Sequence, residues 1–160
     1  QSTLDYVQKL GNENSAKWFS ILEFLAKLRI IKNHPSSASG VVKLTVFQKS
    51  FRTSLADDFN TPKALAALFT LMGDVNPRIW KLARGEAKKC YEAVSMALET
   101  LGFRIEFPET PRKIEILVKE RDRLRRNQQF MQSDGLRKKI NGLGFLIEDT
   151  PSGPFVWPKN

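Results

Sequence analysis

Apolar side chains recur every three or four positions through the first hundred residues, which is the spacing of helices that bury one face. Four segments carry this pattern, at residues 12–33, 42–55, 62–75 and 86–101. Gly102 follows the fourth segment directly and can cap its carboxyl end. Four helices with short connections predict an antiparallel up-and-down bundle.

The connections between these segments contain residues that interrupt helices. The stretch HPSSASG, residues 34–40, combines proline, glycine and small polar residues, and it predicts a loop with His34 exposed at its start. Asn76 is followed by Pro77, and a proline disfavours helical backbone in the residue before it. The third helix is therefore predicted to end or kink there.

The join LADDFNTPKAL, residues 55–65, predicts a helix start. Asn60 or Thr61 can accept a hydrogen bond from a free backbone N–H of the first turn, and Pro62 lacks the donor that this turn would leave unpaired. Phe59 is expected to pack across onto the first turn as a hydrophobic staple. The two aspartates before Phe59 are assigned a structural role near the positive end of the helix dipole.

After a proline-containing linker at residues 103–111, the sequence becomes strongly charged. Thr110 is predicted to cap a basic helix, PRKIEILVKERDRLRRN. A second helix follows within NQQFMQSDGLRKKINGLGF, where Leu136, Ile140 and Leu143 are expected to point inward and Gly144 to act as the cap. Two helices joined in this way form a helical hairpin.

The last segment, FLIEDTPSGPFVW, alternates apolar and polar residues around a TPSG turn. This pattern predicts a β-hairpin with strands at residues 145–149 and 155–157. Pro154 and Pro158 would confine it to an edge or to an isolated ribbon. The predicted fold is therefore mainly α, with a helical bundle at residues 1–108 and a small α+β domain at residues 109–160.

The chain has a formal net charge of +9 and a pI near 9.9. Such an excess of Lys and Arg favours a phosphate backbone as partner, because binding releases counterions. The basic helix carries Lys119, Arg123 and Arg126 on one face, and Arg121 and Arg125 on a neighbouring strip. A solvated face with internal ion pairs, or a surface for an acidic protein or membrane, would produce a similar pattern.

Other classes of protein are disfavoured by composition. No apolar run approaches the roughly 20 residues that span a bilayer, and the amino end lacks the order of a secretory signal, so we expect no membrane partner and a cytoplasmic protein. One cysteine, Cys90, and one histidine, His34, cannot form a disulfide or a Cys/His zinc site. We therefore expect no metal and no cofactor in this chain.

Three stretches together resemble one family, the cysteinyl-tRNA synthetases. From Ile116 to Trp157 the order of basic helix, aspartate-containing helix and LIEDTPSGPFVW is similar to the anticodon-binding tail of these enzymes. The segment ADDFNTPKALAALF resembles the DALR-type helical domain that precedes that tail. The tripeptide LDY, Leu4 to Tyr6, resembles the family's entry into the bundle.

The resemblance implies an enzyme that activates cysteine with ATP and esterifies it to cysteine tRNA, using a zinc-bearing catalytic domain with HIGH and KMSKS signatures. No such strings occur here, so the chain would correspond to the carboxyl-terminal half of such a ligase, inactive alone and without catalytic residues. ATP and zinc would belong to the amino-terminal catalytic domain, which is an expected partner together with cysteine tRNA. The helical bundle would then act as a spacer.

Anticodon bases are unstacked, so aromatic and guanidinium groups can stack on them while polar groups bind their edges. Carboxylates would accept hydrogen bonds from guanine or cytosine. The residues that match the family's base-reading face are Arg125, Phe130, Asp134, Asp149 and Trp157. The predicted contacts to the tRNA backbone are Lys119, Arg121, Arg123, Arg126, Arg137, Lys138 and Lys139.

Each base-reading assignment has a structural alternative. Asp134 could cap a turn before Gly135, and Asp149 could start the DTPSG turn. Arg125 could contact phosphate, Phe130 could belong to the core, and Trp157 could either close the site or pack the hairpin.

Two other functions fit parts of the sequence. Enzymes that ligate cysteine to an amino sugar share the helical bundle but lack the tail. A basic helical module that binds an acidic protein or non-specific nucleic acid is the alternative from another class.

Overall fold

A computed structural model describes residues 11–34 and 38–159. The predicted motif Leu4 to Tyr6 and the middle of the 34–40 loop lie outside these residues. The chain divides into two compact units, one ending at Glu106 and the other beginning at Phe107.

The first unit is a helical bundle. Its helices are α1 (Gly11–Asn33), α2 (Leu44–Ala56), α3 (Thr61–Val75) and α4 (Arg84–Thr100). Helix α1 packs against α4, and α2 packs against α3. The side chains that are almost fully buried here are apolar: Phe24, Leu25, Leu28, Leu68, Val75, Leu82, Val94 and Leu98. The predicted mainly helical fold is confirmed.

At the corner between α2 and α3, the predicted helix cap is present, but the aromatic residue does not pack as predicted. The side chain of Asn60 accepts a hydrogen bond from the Lys63 backbone N–H at 3.1 Å, and Pro62 stands in the first turn. Asp58 and Phe59 adopt left-handed backbone, with φ of 49° and 55°. The Phe59 side chain is 57% exposed, so the predicted hydrophobic staple is wrong.

Other boundaries differ by a few residues. Helix α2 begins at Leu44, two residues after the predicted start, and its apolar residue Val46 is 66% exposed. Helix α3 ends at Val75, where a 3₁₀ helix, Asn76–Lys81, begins, so the predicted interruption at Pro77 is confirmed. His34 is exposed, as expected. Gly102 has a φ of 81° after α4, which fits its predicted capping role.

Gly40 approaches the backbone after the 3₁₀ helix. Its N–H donates to the Lys81 carbonyl at 2.9 Å, and its own carbonyl accepts from Ala83 N–H at 2.9 Å. A Cβ atom at this position would lie 2.4 Å from the Lys81 oxygen. Glycine is therefore required there by close packing.

The second unit contains α5 (Arg112–Arg126), α6 (Phe130–Gly142), β1 (Phe145–Thr150) and β2 (Gly153–Pro158). Helices α5 and α6 form the predicted hairpin, and α6 packs against β1. The strands pair antiparallel from Phe145↔Pro158 to Thr150↔Gly153 and form a two-stranded sheet. Both strands are longer than the sequence predicts.

Two local predictions in this unit are wrong. Pro111, not Thr110, occupies the N-cap position of α5, and no side chain caps that helix. Leu143 is 40% exposed because it follows the end of α6 instead of lying on its buried face. The apolar core of this unit consists of Ile114, Leu124, Ile140, Ile147, Phe155 and Trp157.

None of the helices in the described part of the chain is both long and apolar enough to cross a membrane.

Candidate nucleic-acid interface

An ion pair between α5 and β1 lies at the centre of the second unit. The guanidinium of Arg121 donates through Nη1 and Nη2 to the two carboxylate oxygens of Asp149, at 2.7 and 2.9 Å. Arg121 is 0% exposed, whereas the Asp149 side chain is 40% exposed. The hydrogen bond from Arg121 lowers the pKa of Asp149, although partial burial opposes this shift. Asp149 is therefore ionised at neutral pH.

Arg125 lies beside the exposed edge of Asp149, and Phe130 lies beside Arg125. Arg125 is one helical turn after Arg121, and its Nη2 is 3.6 Å from Asp149 Oδ2. Its guanidinium carbon is 6.0 Å from the centre of the Phe130 ring, which is within cation–π range. Phe130 is 54% exposed at the start of α6, so the alternative that it belongs to the core is wrong. We call Asp149, Arg125 and Phe130 the exposed cluster.

The connection between α5 and α6 brings Phe130 next to Arg125. Gln128 has a left-handed φ of 60°, and its N–H donates to the Arg125 carbonyl at 3.0 Å. The N–H of Gln129 donates to the Leu124 carbonyl at 2.9 Å. These bonds close the carboxyl end of α5, so that α6 can begin immediately afterwards.

Asp134 and Arg137 extend the charged region along α6. Asp134 is exposed, and its charge contributes to raising the pKa of Arg121, after the larger contribution from Asp149. Arg137 donates to the Ile147 carbonyl at 3.5 Å, and its charge helps to lower the pKa of Asp149. Asp134 and Arg137 therefore act electrostatically on the same ion pair that supports the exposed cluster.

The structural alternatives for the two aspartates are also wrong. Asp134 and Gly135 lie inside α6, so Asp134 does not cap a turn. Asp149 lies in β1 opposite Pro154, and its carboxylate binds Arg121. The hydroxyl of Thr150 makes the turn bond instead, by donating to the Gly153 carbonyl at 2.6 Å.

Two predicted binding residues are corrected by burial. Trp157 is 5% exposed and stacks on Phe155 with 5.9 Å between ring centres, so it packs the hairpin and cannot stack on a base. Arg121 is fully buried against Asp149, so it cannot contact the RNA backbone.

The remaining predicted backbone contacts are exposed, and apart from Arg137, which donates to the Ile147 carbonyl, they fall into two groups. Arg123 pairs with Glu120 and Arg126 pairs with Asp122, each at 2.7 Å. The second group consists of three lysines that form no ion pair with an acidic side chain within residues 107–159: Lys119, Lys138 and Lys139. The lysines can therefore meet phosphate without first breaking an ion pair.

The sequence contained a signal for the buried pair that residue type alone obscures. Arg121 lies seven residues after Ile114 and three before Leu124, on the buried stripe of α5. Asp149 lies two residues after the buried Ile147, on the same face of β1. A base on the buried stripe of a helix and an acid on the strand face that carries a buried isoleucine predict each other as partners.

No group of three or more His, Cys, Asp or Glu in the described residues could hold a metal ion. Cys90 is buried in the first unit, and burial, with a smaller contribution from the Glu86 charge, raises the pKa of its thiol to about 12. The described residues therefore do not fit the zinc that the resemblance implies for a catalytic domain.

The amino-acid sequence is similar to that of known proteins. Residues 50–106 match the DALR domain. The chain is 30% identical over 164 residues to the cysteine–tRNA ligase of Carboxydothermus hydrogenoformans, covering 96% of this chain and 35% of that protein. The ligase of Methanosarcina acetivorans is 33% identical over 141 residues, covering 84% and 29%.

The ligase of Aquifex aeolicus is 29% identical over 168 residues, covering 86% of this chain and 34% of that protein. The chain thus spans about a third of the length of the curated relatives that it matches. The resemblance seen in the sequence motifs is confirmed.

Proposed function

We propose that this chain, which carries a DALR domain and is homologous to cysteine–tRNA ligases over most of its length, is a carboxyl-terminal region that binds cysteine tRNA and recognises its anticodon. In this proposal, a catalytic region corresponding to the unmatched part of the relatives attaches cysteine using ATP, with zinc as a constituent. The present chain supplies RNA binding and no chemistry. The proposed place of action is the cytoplasm.

The observation that carries the proposal is the exposed cluster. Phe130 offers an aromatic face, Arg125 offers N–H donors, and Asp149 offers carboxylate acceptors, with Arg125 adjoining each of the other two. An unstacked base needs this combination, a surface to stack on and polar groups at its edge. Stacking on an aromatic ring contributes about 1–3 kcal/mol per base.

Asp149 keeps acceptor capacity although it binds Arg121. A carboxylate has about four lone-pair sites, and the two bonds from Arg121 use only part of them. The exposed edge can accept from an amino or imino group of guanine or cytosine. Asp134 offers a second exposed carboxylate on α6. An acid near RNA is favourable only where such donors meet it.

Affinity for the RNA backbone would come from the exposed bases around the cluster. Each cation that neutralises a phosphate adds affinity without reading sequence and increases the salt dependence of binding. The proposed contacts are Lys119, Arg123, Arg126, Arg137, Lys138 and Lys139.

Titration against cysteine tRNA and an anticodon-swapped tRNA tests the proposal, and two neighbouring arginines provide matched variants. Arg125→Met should lower the ratio of the two affinities by about tenfold, because one charged hydrogen bond to a base is lost. Arg126→Met should weaken both complexes equally and reduce the salt slope by about one. Lys138→Ala should behave like Arg126→Met.

The same titration distinguishes the alternative functions. Equal affinity of the unmodified chain for both RNAs would indicate non-specific nucleic-acid binding instead of anticodon recognition. If the chain binds neither RNA, the alternative in which its basic surface binds an acidic protein is favoured. If Arg125→Met and Arg126→Met both lose affinity equally for the two RNAs, Arg125 does not read a base.

A further inference from the structure

We infer that Arg121 is a positioning residue for RNA recognition, because it holds the Asp149 carboxylate in the orientation from which its exposed edge meets a base. This inference rests on the proposed function. It assigns Arg121 a role that is neither phosphate contact nor catalysis.

The geometry of the pair fixes the carboxylate plane. Two N–H···O bonds, at 2.7 and 2.9 Å, join the planar guanidinium to both oxygens of Asp149. A single bond would allow the carboxylate to rotate, whereas a two-point contact restrains it. Arg121 is itself immobilised, because it is fully buried on the core-facing side of α5.

The division of contacts leaves other donors available to a ligand. Arg125 Nη2 is 3.6 Å from Asp149 Oδ2, which is too long for a hydrogen bond. Because Arg121 already satisfies the inner side of the carboxylate, Arg125 is not required to do so. Its guanidinium can donate to a base while its charge still attracts the carboxylate.

A purely structural pair would not need this arrangement. Replacing a buried ion pair with apolar residues of similar volume is often neutral or stabilising, so packing alone gives little reason for a charge here. The Asp149 side chain is 40% exposed and adjoins Arg125. A fixed, ionised acceptor at the surface is what base recognition requires and what an apolar pair could not provide.

The test uses the full chain with Arg121→Met and Arg121→Lys, and with Arg123→Met as the control on the exposed side of the same helix. Binding to cysteine tRNA and to an anticodon-swapped tRNA is measured under conditions in which circular dichroism shows each variant folded. Arg121→Met should lower the affinity ratio by about tenfold, with about twofold change or less on the swapped RNA. Arg121→Lys keeps the charge but lacks the planar fork, so it should restore the ratio only partly.

Arg123→Met should leave the ratio unchanged and weaken both complexes. A folded Arg121→Met variant with the ratio of the unmodified chain would overturn the inference while leaving anticodon recognition intact. If the unmodified chain fails to discriminate, the proposed function and this inference fail together. If Arg121→Met does not fold, the test depends on Arg121→Lys. An affinity ratio in Arg121→Lys equal to that of the unmodified chain would then overturn the positioning role.

Discussion

The two units of this protein build their interiors with different chemistry. In the described part of the first unit, Ser54 is the only polar residue that is buried as a whole, and its hydroxyl donates within α2 to the Ser50 carbonyl at 2.8 Å. In the second unit, Arg121 is fully buried and its charge is met by Asp149 on another element. The second unit also contains a buried serine, Ser133, which donates within α6 to the Phe130 carbonyl at 3.0 Å. The difference between the two interiors is therefore the buried charge that is satisfied across the fold.

This difference shows how a small unit can combine stability with an exposed charged site. A short chain rarely obtains more than about 3–5 kcal/mol from its core alone, so each large contact in the second unit matters. The Arg121–Asp149 pair also specifies which residue of β1 faces α5, because a shift of one residue would turn Asp149 to the opposite face. The ion pair thereby fixes the register and the position of the carboxylate together.

The largest expected effect is the loss of the main apolar residue of the second unit. Trp157→Ala should destabilise that unit by about 3–5 kcal/mol and largely unfold it, since the indole is buried against Phe155. Urea titration followed by amide NMR signals measures each unit separately. Leu146→Ala is the control, because Leu146 pairs with Trp157 across the sheet but is 47% exposed. Equal losses for both variants would contradict the assignment of Trp157 to the core.

Removing the acid of the buried pair should have the next largest effect. Asp149→Ala leaves the Arg121 guanidinium buried without its partner and should cost about 2–3 kcal/mol, below the range for fully enclosed pairs because Asp149 is partly exposed. The same urea titration measures it. Glu120→Ala breaks the exposed pair with Arg123 and should leave stability unchanged within error. An equally small loss for Asp149→Ala would show that the second unit does not depend on its ion pair.

That stability cost also bears on RNA binding. Asp149→Ala alone would combine lost recognition with partial unfolding, so a lower affinity for RNA would have two causes. Variants of Arg125, which lies at the surface of the exposed cluster, separate recognition from folding more cleanly.

The helices were largely predictable from the sequence because their signals are local. Apolar spacing located four helices of the first unit, and the Asn60 cap and the left-handed Gly102 mark two of their ends. Phe59 was mispredicted because two consecutive left-handed residues turn it into solvent. Backbone of that kind is rare for residues other than glycine, and residue identity gave no sign of it.

The candidate site was less predictable because its central contact is not local. Arginine is almost never fully buried unless it is paired, so a basic helix suggested exposure for all of its arginines. The partner of Arg121 lies 28 residues further along the chain, on a different element. Trp157 was predicted to lie in the site because it is aromatic, whereas in the structure it lies on the buried side of β2 and belongs to the core. Phe130 and Arg125 were predicted as neighbours of a base, and their exposure is compatible with that role.

Acidification should destabilise the second unit, with a smaller effect than the Asp149→Ala substitution. The pKa of Asp149 is lowered in the folded unit from its ordinary value of 3.8, chiefly by the hydrogen bond from Arg121. The pair therefore contributes stability above that ordinary value, and this stability is lost as pH falls through the lower folded value. Urea titrations at about pH 6 and pH 3 should show a loss in the second unit. Asp149→Asn should remove most of this pH dependence of stability. If the pH dependence is unchanged in that variant, other carboxylates cause it.

The smallest predicted effect lies in the first unit, at a helix cap whose hydrogen bond is local. Asn60→Ala removes the side-chain bond to the Lys63 N–H and should cost about 1 kcal/mol, with the apolar core between the helices intact. Asn60→Ser should recover most of this loss, because a serine oxygen can accept the same hydrogen bond. Amide NMR signals during urea unfolding should place the change in the first unit and leave the second unit unaffected. A loss as large as that of Asp149→Ala would mean that the first unit also depends on single polar contacts, and the contrast between the two interiors would no longer hold.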